Sequence, residues 1–130
     1  MNWKLVVQLS GFGLFMAIGT VFFIGPNVEP MLWLPILLVV AGLIARFAPG
    51  KHFLHGLAVS GVNCLWITSA HVLFFDTYAA GHADEMAASA SMPFPPRVAM
   101  LVVGPVIGLI SGCFLGLFAF IASKFIKPAP

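Results

Sequence analysis

The stretch Gly104-Pro105-Val106-Ile107-Gly108-Leu109-Ile110-Ser111-Gly112-Cys113-Phe114-Leu115-Gly116 decides how this chain is read. Its glycines at 104, 108, 112 and 116 lie inside an apolar run long enough to cross a membrane. At about 100° per residue, each is turned only about 40° from the one before, so the row shares one helix face. Phe114, Leu117, Phe118, Ile121 and Phe125 project roughly 140–240° from Gly112, on the opposite side. One side of the helix is a smooth groove and the other a bulky ridge. In lipid, burying apolar area gives helices no reason to associate, so close backbone approach along small residues is a main source of packing energy. The pattern, a glycine zipper, predicts a helix pressed against another helix.

Composition places that helix in a membrane. Of 130 residues, 61% are hydrophobic and 8% charged, against about 25% charged in soluble domains. A formal charge of +2 with no basic stripe excludes nucleic acid as a partner. Cys64 and Cys113 both sit in apolar runs, without zinc-type spacing.

Working outward, four apolar runs approach the roughly 20 residues that span a bilayer: about 5–24, 31–47, 52–78 and 98–125. The first continues past the length of a signal h-region and is expected as a retained span. It carries Ser10, Gly13, Ala17 and Thr20 on one face. The second begins among Pro30 and Pro35 and is closed by Ala48-Pro49-Gly50. The fourth contains Pro105, which frees the Leu101 carbonyl and favours a kink. The fold expected is all-α: an integral membrane four-helix bundle, one domain over 1–130, with an outer loop over about 79–96. Within that loop, His82 to Met92 has the composition of a short surface helix.

With four spans, Lys4, Arg46, Lys51, Lys124 and Lys127 share one side and only Arg97 the other. That asymmetry favours both termini in the cytoplasm. Short loops fit a bacterial inner membrane.

The third run is the polar one. His52, His55, Ser60, Asn63 and His71 fall within about 160° of arc. One reading is a polar track through Ser60, Asn63 and His71, with histidine able to exchange protons near neutral pH. The other is plain packing, with Asn63 as an interhelical hydrogen-bonding group and His52 and His55 at the interface beside Lys51. The same run shows Gly56, Ser60, Cys64 and Thr68 at spacing four, a natural partner for the glycine row. Counting from the helix ends sets Cys64 level with Cys113, and Asn63 near Ser111 or Gly112. The glycine row serves self-association equally well.

In the outer loop, Asp76, His82, Asp84 and Glu85 offer ligands for a divalent cation, at no diagnostic spacing; a solvated polar loop is the competing reading. No nucleophile elbow, phosphate loop or metalloprotease helix occurs, and nothing calls for a cofactor. In size and span count the chain is similar to small drug-resistance exporters. Those use an acidic residue in the first span, and positions 5–24 hold none. The resemblance is one of architecture, and no residue is carried over from it. The function expected is that of a non-catalytic accessory or assembly subunit. It would work in the lipid bilayer as a homo-oligomer or on a larger membrane partner. The alternative is a small channel or transporter, an oligomer with its path along the third helix.

Overall fold

A computed structural model describes residues 1–130 and is all-helical, with no strands. Helix α1 (Trp3–Leu9) is capped by Asn2, whose side chain accepts from the Leu5 N–H at 3.1 Å. Ser10 then interrupts the turn: its hydroxyl donates to the Val7 carbonyl at 2.8 Å, and α2 (Gly11–Phe22) follows at once. Together they form one 20-residue apolar helix, Trp3–Phe22. Its end is tied off by the N–H groups of Phe23 and Ile24, both on the Gly19 carbonyl, just before Gly25-Pro26.

Helix α3 (Glu29–Phe47) begins with Pro30 in its first turn, where a missing N–H costs nothing. It stops at Ala48, held extended by the following Pro49. Gly50 (φ 110°) and Lys51 (φ 51°) make the left-handed turn into α4 (His52–Leu73). After Phe74 come two short helices, α5 (Phe75–Gly81) and α6 (Ala83–Ala90). The long α7 (Pro96–Ala122) runs unbroken through Pro105. Four helices are thus long and apolar enough to cross a membrane: Trp3–Phe22, Glu29–Phe47, His52–Leu73 and Pro96–Ala122.

Helix α4 lies between the first span and α7. It runs parallel to the first span, with His55 beside Asn2 and His71 beside Thr20. It runs antiparallel to α7, with Gly56 beside Gly116 and Thr68 beside Gly104. Helix α3 packs on α7, and the Ala129 N–H closes that pair on the Arg46 carbonyl at 2.8 Å. Both termini therefore sit at the same end as the turn into α4. The buried apolar core (Leu5, Val6, Leu9, Val40, Ala41, Ile44, Ala48, Val59, Leu115 and Ala119) occupies that end. Large side chains such as Phe15, Leu34, Leu65, Leu109 and Phe114 point outward, a surface suited to lipid rather than water.

Charge is divided along the same axis. Lys4, Arg46, Lys51, Lys124 and Lys127 are at the termini end. Glu29, Asp76, Asp84 and Glu85 are at the other, with Arg97, which pairs with Asp76 at 3.5 Å.

Candidate functional site

Helix α4 carries two polar or small faces, and each meets a different neighbour. The face made by Gly56, Ser60, Cys64 and Thr68 lies along the α7 glycines. A Cβ on Gly116 would come within 2.6 Å of the Phe53 carbonyl oxygen, and one on Gly112 within 2.9 Å of Leu57 and 3.2 Å of Ser60 Cβ. One on Gly108 would come within 2.7 Å of Cys64 Cβ, and one on Gly104 would run into the Thr68 hydroxyl. Ser60 Oγ donates to the Gly108 carbonyl at 2.8 Å, so this seam holds a hydrogen bond as well as close backbones.

The register differs from the one obtained by counting in from the helix ends. Cys64 lies against Gly108, while Cys113 is exposed, away from the seam. Asn63 does not approach Ser111 or Gly112; it faces the first span, where its carboxamide fills the space a Cβ on Gly13 would take. The reason is that α7 is 27 residues long, so its ends are a poor ruler. Steric fit between small residues sets the register instead.

The second face of α4 carries His55, Asn63, Trp66 and His71 and lies against the first span. His55 is 1% exposed, and so is an interior residue rather than an interfacial one. Its Nε2 accepts from the Asn2 backbone N–H at 2.9 Å, and its Nδ1 lies 3.0 Å from the Lys51 carbonyl. A carbonyl only accepts, so the proton is on Nδ1 and the ring is neutral. Trp66 Nε1 donates to Ser10 Oγ at 3.3 Å. Thr20 Oγ1 lies 2.9 Å from the Met16 carbonyl oxygen and 2.9 Å from His71 Nε2, so it bridges its own helix and α4.

Beyond His71 lies the most unusual grouping in the molecule. The rings of His71, Tyr78 and His82 are stacked face to face, with centroids 3.9 Å and 4.0 Å apart. The break at Phe74 makes this possible. In an unbroken helix His71 and Tyr78 would be separated by about 10 Å of rise. His82 is 2% exposed, with Nδ1 donating to the Tyr78 carbonyl at 2.9 Å. Its Nε2 is buried without a partner, as is Asn63 Oδ1 in the middle of α4. Burial, then the carboxylates of Glu29 and Glu85, push the Tyr78 phenol well above its usual range.

Comparison with protein families, with curated proteins and with solved structures returns no match. The chain has to be read from its own chemistry.

Of the residues considered as metal ligands, Asp76 faces Arg97, Asp84 and Glu85 are exposed on α6, and His82 is buried in the stack. No three His, Cys, Asp or Glu side chains gather as a metal site. Ser60, Asn63 and His71 do not line one path: Ser60 faces α7, while Asn63 and His71 face the first span. Sequence reasoning passed over Tyr78. Its spacing, seven residues after His71 and four before His82, puts the three on one helix face, but the His71 and Tyr78 rings touch only because the chain breaks in between.

Proposed function

We propose that the chain is a four-helix membrane bundle with both termini on the cytoplasmic side, a non-catalytic accessory or assembly subunit of a bacterial inner membrane. One observation carries this reading. The polar and small side chains of α4 are engaged by the chain itself: Ser60 by Gly108, His55 by Asn2, Trp66 by Ser10 and His71 by Thr20. The glycine row serves this internal seam, which leaves the bulky ridge of α7 facing outward for lipid, a second copy or a larger membrane partner. Five basic residues at the termini end against one at the other support the orientation.

The second reading, an oligomeric channel or transporter, is favoured by a single feature: Asn63 Oδ1 has no partner at mid-depth, where an unpaired acceptor is costly. Reconstitution separates the two. Native mass spectrometry from nanodiscs should show a defined assembly, and proteoliposomes should show no protein-dependent ion flux. A flux that Asn63→Leu abolishes in a still-folded protein would overturn the accessory role. Labelling of terminal cysteines in right-side-out vesicles would test the orientation.

A further inference from the structure

We propose that the groove between α1 and α3 at the termini end is a binding site for one anionic glycerophospholipid. This rests on the reading that the four long helices cross a bilayer. The groove has a volume of about 490 Å³, within the roughly 300–1,000 Å³ typical of small-molecule sites. Its α1 wall presents Lys4 and Gln8, one turn apart on the same face, and its α3 wall presents Leu43 and Phe47, also one turn apart. Leu5 and Leu9 form the floor.

The lining is graded in the way a lipid is graded. Lys4 sits in the first turn of the span and has no carboxylate partner, the only ion pair in the chain being Arg97–Asp76. Every carboxylate side chain lies at the far end, so no side chain competes with an outside anion for this ammonium. Gln8 lies one turn deeper, about 6 Å along the helix. Headgroup layers add about 5–8 Å to each side of the hydrocarbon core. With Lys4 at the phosphate level, Gln8 therefore falls at the ester boundary. Its carboxamide makes no hydrogen bond within the chain. A primary amide at that depth needs an acceptor, and lipid ester carbonyls supply one. Below it, Leu9 and Leu43 offer an apolar slot for an acyl chain. The phosphate pairs with Lys4, an ester oxygen accepts from Gln8, and the chain lies along the α3 wall.

The full-length protein is placed in nanodiscs of equal parts phosphatidylglycerol and phosphatidylcholine, and retained lipids are counted by native mass spectrometry. Insertion of the wild type is scored first; failure there would sink the four-span reading and the site with it. The wild type should retain phosphatidylglycerol in preference. Lys4→Gln should lower that preference about fivefold, the worth of one lysine at an anionic surface. Lys124→Gln with Lys127→Gln, which removes more charge from the same end, should leave it unchanged. Gln8→Leu should lower retention of both lipids alike, because the ester is common to them. Leu43→Trp, which fills the slot without altering charge, serves if Lys4→Gln does not fold, and should abolish retention. Equal loss in the Lys124/Lys127 variant would mean attraction to a basic surface without a site. That result, or unchanged retention in Lys4→Gln or Leu43→Trp, would overturn the proposal.

Discussion

Gly56 and Gly116 meet backbone to backbone: a Cβ on Gly56 would lie 2.5 Å from the Gly116 nitrogen. Neither residue leaves room for a methyl group, and only backbone movement would make it. Replacing either with leucine should therefore destabilise the fold by at least the roughly 1–3 kcal/mol of an overpacked core. Gly61, on the same helix, has open space where its Cβ would be. There, alanine should gain about 0.5–1 kcal/mol from helix propensity. Unfolding in detergent would measure both, and equal tolerance at 56 and 61 would contradict the α4–α7 seam.

The seam also fixes a register that oxidation can read. With Cys113 changed to serine, Gly108→Cys should form a disulfide with Cys64 within one chain once the two helices part slightly, since the 2.7 Å between their Cβ positions is shorter than the roughly 3.5–4.5 Å a disulfide spans. The native pair Cys64 and Cys113 should not. An intramolecular Cys64–Cys113 bond would mean that α7 is displaced by more than a turn from its position here.

Tyr78 is the only tyrosine, so the ultraviolet absorbance of tyrosinate reports the His–Tyr–His stack alone. Burial, with Glu29 and Glu85 adding to it, raises the phenol above its ordinary value of 10.0. The ionisation midpoint should lie above that value in the folded protein and return to it on unfolding. The sign for stability follows from the protons bound. Above pH 10 the unfolded chain loses the phenol proton while the folded chain keeps it. Stability is thus fully present below pH 10 and falls as pH rises beyond it. Tyr78→Phe should remove that alkaline slope. A midpoint at the ordinary value would show the ring to be solvated.

The Thr20–His71 contact joins the first span to α4 at 2.9 Å. A double-mutant cycle with Thr20→Val and His71→Ala should give a coupling of about 0.6 kcal/mol and no more than about 1.7, the range for hydrogen bonds between membrane helices. Zero coupling would mean the two side chains do not meet in lipid.

The four membrane-length helices were legible because length and apolarity are local properties. The glycine row and the Gly56–Thr68 stripe were legible because spacing four needs only helix geometry. Register was not, because it depends on which small residues interlock, and counting from the ends misplaced Cys64 by more than a turn. The direction of Asn63 was also hidden: about 160° of polar arc on α4 is wide enough to divide between two neighbours. His82 looked like a solvated loop residue. Its burial depends on the break at Phe74, which folds Tyr78 back onto His71 and which no glycine or proline announces.

Asn63 and Gly13 give the sharpest test of the first span's placement. The carboxamide occupies the volume a Gly13 side chain would need, and its Oδ1 has no hydrogen-bond partner. Gly13→Ala should drive the amide out and destabilise by about 1–3 kcal/mol, as overpacking does. Asn63→Ala alone should cost less, since it removes an unsatisfied polar group along with its packing. The combination should be milder than the sum of the two, because the added methyl enters the space the amide leaves. Chemical unfolding of the four proteins closes the cycle. Additive losses would mean that Gly13 and Asn63 are not in contact, and that the first span packs on α4 in another register.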